Sequence, residues 1–262
     1  MSGARRAATL LATSRLRGLL VSVRDAREAA AAIEGGADII DVKEPRAGSL
    51  GRPTPDACLA VAAAAEGCLP WTMACGELRE GPRVIIDHIA AVGRLLGDCP
   101  GPAAIKVGLA GMAGRDWRTD LAAVYGSLEC LPAGVGPVAV IYADAPETPP
   151  AEEILAAAGP LGCRAVLVDT FDKSAGSTLD CRTPAELSRW RAAATAAGMA
   201  FVLAGRLSAE DLAAAAEIAA DVIAVRSAVC SGGRNGTVEA AKVRTLASWR
   251  DSHEDDRGSA SL

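Results

Sequence analysis

A single (β/α)8 TIM barrel is the fold this sequence predicts, and three observations predict it. Eight short runs of β-formers recur along the chain, longer helical segments separate them, and all eight units fit in about 230 of the 262 residues, close to the ~250 typical of such barrels. Alternation of strand and helix requires parallel strands joined by right-handed crossovers, which eight repeats satisfy better by closing than by forming an open doubly wound sheet. A short internal echo agrees: "GADIIDVKEP" and "AADVIAVRSA" share the pattern A-D-[IV]-I-x-V-[KR].

The first run is "GLLVSV" (18–23). Asp25, with Glu28 three residues on, reads as a capping pair that opens a helix, and Gly35-Gly36 stops it. The second run, "DIIDVK" (38–43), is followed by Thr54-Pro55, a hydroxyl N-cap with proline at the first helical position, where its missing N–H costs nothing. "WTMAC" (71–75), "AAIKVGL" (103–109) and "PVAVIYA" (137–143) are the third, fourth and fifth runs. Thr148-Pro149 starts the next helix. "AVLVDT" (165–170) is the sixth run, with Thr183-Pro184 and Gly198 bounding the helix behind it. "AFVLAG" (200–205), a Ser208/Asp211 capping pair and "DVIAVR" (221–226) complete the series.

Residues 1–18, with four arginines and no acid, read as a disordered leader; 19–250 form the barrel domain, and 251–262 read as a disordered, solvated tail. No linker rich in Pro, Gly or Ser divides the chain. A formal net charge of -5 offers no basic field for nucleic acid, and no apolar run approaches the ~20 residues that span a bilayer. A cytoplasmic protein without nucleic-acid or membrane partners is expected. The eight cysteines are scattered without a CxxC or Cys-His cluster and read as reduced, small hydrophobes. His88 falls in a predicted helix and His253 in the tail, which argues against histidine catalysis and His-based metal sites. Neither metal nor organic cofactor is expected.

The chemistry is read from lysine. Of 27 basic residues only Lys43, Lys106, Lys173 and Lys242 are not arginine, and the first three lie in or just after the second, fourth and sixth runs. Barrel active sites sit at the C-terminal ends of the strands, where side chains of alternate strands share a layer. Arginine keeps its proton, whereas a desolvated or crowded lysine can lose it and attack a carbonyl to form a Schiff base. Asp41, two residues from Lys43 and so on the same strand face, and Asp169, closing the sixth run, are the acid and base candidates.

Anion binding is expected in the loops after the seventh and eighth runs, where barrels often hold phosphate. Gly205, Gly232 and Gly233 let backbone N–H groups approach, and Arg226 and Arg234 supply charge. The loop "EPRAGSLG" (44–51), with Arg46 and Ser49, reads as a second anion site or a lid. Tyr142 and Asp144 of "YADA" are further candidates.

The ordered set "LLVSV", "GGADIIDVKEPRAGSLG", "IKVGLAG", "YADA", "LVDTFDK", "LAGRL" and "VRSAVCSGGRNG" resembles the (5-formylfuran-3-yl)methyl phosphate synthase family, also called 4-(hydroxymethyl)-2-furancarboxaldehyde-phosphate synthase, from about residue 19 to 245. The resemblance implies a TIM barrel that joins two molecules of glyceraldehyde 3-phosphate into a phosphorylated furan aldehyde, with loss of water and phosphate, on the way to methanofuran. It implies Lys43 as the Schiff-base lysine, assisted by Lys106, Lys173, Asp41 and Asp169. The leader is extra, and the loop "SAGSTLD" after Lys173 departs from the family pattern. Two other readings of the same residues stay open: a class I aldolase for another sugar phosphate, and a non-catalytic barrel that binds a phosphate metabolite. A homo-oligomer is expected, since the helix faces are apolar and barrels of this kind often assemble.

Overall fold

A computed structural model describes residues 18–145, 147–172, 174 and 176–259, with only the backbone of 251–259. Eight parallel strands close into a barrel in sequence order: β1 (Gly18–Val23), β2 (Ile39–Val42), β3 (Trp71–Glu77), β4 (Ala104–Gly108), β5 (Gly136–Tyr142), β6 (Ala165–Asp169), β7 (Ala200–Leu203) and β8 (Val222–Val225). β1 pairs with both β2 and β8, which closes the ring. Each strand coincides with a run of β-formers in the sequence.

Helices α1 (Ala26–Glu34), α2 (Pro55–Ala65), α3 (Pro82–Leu96), α4 (Trp117–Gly126), α5 (Ala151–Ala158), α6 (Thr178–Cys181), α7 (Pro184–Ala196), α8 (Leu212–Glu217) and α9 (Ala240–Ser259) lie in the connections and after β8. Their starts follow local chemistry. Asp25 accepts from Glu28 N at 2.9 Å and the Glu28 carboxylate accepts from Arg24 N at 2.8 Å. Thr54 caps α2 and Thr183 caps α7. Thr148 instead donates to Ala145 O at 2.8 Å, so α5 begins two residues after Pro149, with Pro150 at the N-cap. α9 runs to Ser259, into the segment read as a tail. The leader, up to residue 17, and residues 260–262 lie outside the described residues.

The strands are buried on both faces. Outside, residues such as Val21, Ile40, Met73, Ile105, Val166 and Phe201 pack with the helices into one large core. α3 shows how: Ile85, His88, Ile89, Val92 and Leu96 form its buried stripe, at the spacing of one helix face. Inside, Leu20, Ile39, Ala104, Val138, Ala165, Leu167, Val202 and Val222 form a second, smaller cluster. Several of these are alanine or valine, and the floor they make leaves space above it.

Two features had no sequence forecast. A short hairpin, β9 (Cys230–Ser231) with β10 (Thr237–Val238), follows β8 and presents the glycine-rich turn at its tip. β3 carries a bulge: Ala74 is opposite Lys106 but Glu77 is opposite Gly108, so one residue is extra, and Gly76 takes φ +88° there. Among the described residues, no helix is long and apolar enough to cross a membrane.

Candidate active site

Above the apolar floor the barrel interior turns polar. One cavity is lined by Leu20, Ile39, Val138 and Leu167 below, and by Asp41, Lys43, Lys106 and Asp169 above. The alternation of side chains along β2 sends Ile39, Asp41 and Lys43 to the same side. Lys43 is half-buried, while Asp41, Lys106 and Asp169 are buried. The structure therefore brings together four of the five residues expected to carry the chemistry. Lys173 lies outside the described residues.

Asp41 and Lys106 form a buried ion pair across β3. Asp41 Oδ1 also accepts from the Thr72 hydroxyl at 2.8 Å, and Oδ2 accepts from the Ser22 hydroxyl at 3.0 Å. Lys106 Nζ sits 3.1 Å from Thr72 Oγ1. A buried charge pair is tolerated when its remaining lone pairs are met in this way. Ser22 and Thr72 are functional neighbours that sequence reading missed; their signal was a hydroxyl at an inward position of an otherwise apolar strand.

Asp169 is held at the C-terminal end of β6. Its Oδ1 accepts from Thr170 N at 2.7 Å and its Oδ2 from the Ser49 hydroxyl at 3.0 Å. Tyr142 is its register neighbour on β5. The Tyr142 phenol donates to Glu77 Oε1 at 2.6 Å, and Ala110 N donates to Glu77 Oε2 at 3.2 Å. Burial pushes the Glu77 carboxyl above its ordinary range, against the pull of Tyr142 and Ala110. The phenol is pushed well above its ordinary value by burial and then by Glu77, so it keeps the proton it donates.

Loops after β7 and β8 form a second hollow, lined by Arg206, Ser208, Ser227, Gly233 and Arg234. Gly205 is buried, with φ +88°, and a Cβ there would lie 2.1 Å from Thr178 Oγ1. Gly232 and Gly233 are exposed, with φ +76° and +75° and open space around them. Gly233 and two guanidinium groups at this hollow suit a small anion, whereas Gly205 lines the barrel cavity. Arg206, itself at φ +56°, was not singled out in the sequence.

Arg226 and Ser49 differ from expectation. Arg226 was read as an anion ligand, but all five of its N–H groups are used. Nε donates to Arg234 O at 2.7 Å, Nη1 to Ser22 O at 2.8 Å and Glu28 Oε2 at 2.9 Å, and Nη2 to Glu28 Oε1 at 3.4 Å and Gly236 O at 3.1 Å. Its work is to tie the hairpin loop to β1. Burial pushes the Glu28 carboxyl up, but hydrogen bonds from Arg226 and Arg24 outweigh this and leave it below its ordinary value. Ser49, expected to bind phosphate, points its hydroxyl at Asp169 and Thr170 O instead. Arg234 lines the hollow and reaches the carbonyl oxygen of Gly48.

Asp144 anchors the segment after β6, its two oxygens accepting from Phe171 N at 2.6 Å and Asp172 N at 2.8 Å. Phe171 packs edge-on to Tyr142 with centroids 5.4 Å apart, and the Arg79 guanidinium covers its ring at 5.2 Å. Among the described residues no group of three His, Cys, Asp or Glu could hold a metal. The eight cysteines are free thiols.

A buried lysine–aspartate pair, a second lysine and a second aspartate around one barrel cavity are consistent with several barrel enzymes. Comparison with known proteins narrows this, since a family model described as 4-HFC-P synthase matches residues 19–247. The chain belongs to the 4-HFC-P synthase family. Its relatives include (5-formylfuran-3-yl)methyl phosphate synthase of Methanocaldococcus jannaschii, 33% identical over 233 residues, covering 87% of this chain and 97% of that one. The synthase of the same name from Methanothermobacter thermautotrophicus is 33% identical over 243 residues, covering 89% and 99%. That from Methanosarcina barkeri is 31% identical over 231 residues, covering 87% and 97%.

Among solved structures, phosphoribosyl anthranilate isomerase from Thermus thermophilus aligns with a TM-score of 0.59 at 16% identity, over 90% of this chain and 98% of that one. Thiamine phosphate pyrophosphorylase from Pyrococcus furiosus aligns at 0.55 and 15% identity, over 91% and 98%. At such identities the likeness concerns the barrel alone. The 4-HFC-P synthase family membership makes the chain one of a group of synthases.

Proposed function

We propose that this 4-HFC-P synthase family member condenses two molecules of glyceraldehyde 3-phosphate into (5-formylfuran-3-yl)methyl phosphate, with loss of phosphate and water, through a Schiff base on Lys43. The observation that carries the reading is the shared cavity of Lys43, Lys106, Asp41 and Asp169. The name borne by its relatives supports the product.

An amine attacks a carbonyl only as the free base, and an apolar floor with other cations nearby favours that form. Lys43 has both: Leu20 and Ile39 line the cavity with it, and so do Lys106, Arg206 and Arg234. A triose phosphate forms an imine on Lys43 by loss of water. Asp169 takes the α-proton, the electron pair of that C–H bond passes to the imine nitrogen, and the enamine attacks the aldehyde carbon of the second molecule. The proton passes to the aldol oxygen, which leaves as a second water, phosphate leaves, and attack of a hydroxyl oxygen on the imine carbon closes the ring and releases the Lys43 amine, yielding an aromatic furan. The Asp41–Lys106 pair holds fixed charge beside the imine, and Lys173 follows β6 closely enough in sequence to assist.

The hollow between the loops after β7 and β8 takes one phosphate through Arg206, Arg234 and the backbone at Gly233. The reaction as written needs neither metal nor organic cofactor. A lyase acting on phosphates, in the cytoplasm, assembled as a homo-oligomer and serving methanofuran biosynthesis, completes the proposal.

Borohydride reduction in the presence of glyceraldehyde 3-phosphate, followed by mass mapping, tests it. An adduct on Lys43 and an ultraviolet-absorbing furan product are expected; an adduct on another residue, or a reversible sugar adduct as the sole product, overturns it. Lys43→Arg keeps the charge and is expected to be inactive.

A further inference from the structure

Ser49 lies at a crossing that the mechanism above leaves unused. It is 2% exposed, on a loop closed by Glu44 N donating to Gly51 O at 2.9 Å and pinned to β3 by Gly76 N donating to Leu50 O at 2.9 Å. Gly51 permits the closure, because a Cβ there would lie 2.0 Å from Glu44 O. This loop begins at Lys43 and delivers the Ser49 hydroxyl to β6, on the far side of the barrel mouth.

There the hydroxyl oxygen stands 3.0 Å from Asp169 Oδ2 and 2.8 Å from the carbonyl oxygen of Thr170. It has one proton. A carbonyl can only accept, whereas a carboxyl group accepts when ionised and can donate when protonated. Two arrangements give Asp169 a partner in either protonation state. With Asp169 ionised, Ser49 donates to Oδ2. With Asp169 protonated, Oδ2 donates to Ser49, and Ser49 turns its own proton to Thr170 O. Rotation about one C–O bond connects them. A buried acid–base group usually has a partner suited to one protonation state, and the other state is left with an unmet donor or acceptor.

We propose that Ser49 is a positioning residue for Asp169, partnering it as donor before proton abstraction and as acceptor afterwards, with Thr170 O taking the hydroxyl proton in the second state. The inference rests on the reading of Asp169 as the proton carrier. No bond to Ser49 forms or breaks other than hydrogen bonds; the proton that Asp169 accepts comes from substrate and returns to it. Other charged and titratable groups surround Asp169. Arg234 and Tyr142 act on it electrostatically, with Glu77 behind the phenol, and Lys43 and the Asp41–Lys106 pair share its cavity. Ser49 also acts on Tyr142, but a neutral phenol is a weaker acceptor than a carboxylate.

The test measures kcat and KM of the full chain with glyceraldehyde 3-phosphate from pH 5 to 9 for Ser49→Ala and Ser49→Cys. In Ser49→Ala, kcat is expected to fall on the order of tenfold with KM nearly unchanged, and the acidic limb of the profile to move to higher pH, because the hydrogen bond lost to the carboxylate is charge-assisted and stronger than the one lost from the carboxyl group. Ser49→Cys keeps the shape with a weak S–H donor and is expected to fall between. The borohydride adduct on Lys43 should persist in both. In an Asp169→Asn background, Ser49→Ala should add little further loss.

A raised KM with unchanged kcat and an unmoved acidic limb would make Ser49 a substrate ligand and overturn the proposal. So would a full additional loss in the Asp169→Asn background. Wild-type protein that traps no imine and forms no furan would sink the proposed function instead, before any variant is compared.

Discussion

Asp41 and Lys106 are 65 positions apart in the chain, yet they meet inside the barrel as an ion pair with side chains only 3% and 6% exposed. Each is buried only because the other is there. Lys106→Met leaves an uncompensated carboxylate beside Ser22 and Thr72, and the expected destabilisation is about 3–5 kcal/mol. The double variant Asp41→Asn/Lys106→Met should recover a large part of it, although neither variant should turn over substrate. Urea unfolding of the two measures the recovery; equal losses would mean that the pair is not coupled.

Gly205 and Gly232 both adopt left-handed backbone, but with different surroundings. At Gly205 a Cβ would meet Thr178 Oγ1 at 2.1 Å and Thr170 N at 2.9 Å; at Gly232 it would meet nothing within 4 Å. Gly205→Ala should displace the segment that holds Asp169 and lower kcat by roughly tenfold or more, whereas Gly232→Ala carries only a backbone penalty of about 1–2 kcal/mol. Steady-state rates and thermal melts of both variants check the contrast.

Arg226→Lys keeps the charge but offers three donors where five are used. The loop at Arg234 and Gly236 loses its anchors, and KM for the phosphorylated substrate should rise severalfold more than kcat falls. Faster hydrogen exchange across residues 230–238 is the accompanying observation.

His88 introduces an acid sensitivity unrelated to catalysis. It is buried on α3, its Nε2 has no hydrogen-bond partner among the described residues, and burial, with Arg52, pushes its pKa down to about 4. The unfolded chain takes up this proton near pH ~6.5, before the folded one does. Stability is therefore complete above that pH and declines as pH falls toward 4, by on the order of 3 kcal/mol. His88→Leu should flatten the decline between pH 6.5 and 4, as followed by melting temperature across that range.

The strands were legible because inward and outward sides are both apolar, giving runs of β-formers bounded by caps and glycines. Lys43, Asp41, Lys106 and Asp169 were legible for a related reason: a charge near the end of such a run has few places to go except the barrel mouth. What composition could not reveal is how donors are spent. Arg226 looked like an anion ligand until Glu28, 198 residues away, was seen to occupy it. Ser49 looked like a phosphate contact until its partner across the mouth appeared. Glu77 was invisible for a geometrical reason. Counting by twos from Thr72 and Ala74 points Gly76 inward and Glu77 outward, and the bulge reverses that parity.

That single extra residue in β3 bears on how such a barrel could change over generations. Removing it would restore the regular pleat and still leave the acid pointing inward, because Glu77 would then take the position two after Ala74, opposite Gly108. A deletion of one codon here is thus a change the strand can absorb without reversing the acid, whereas exchanges that flattened the bulge at constant length would turn it toward the helix layer.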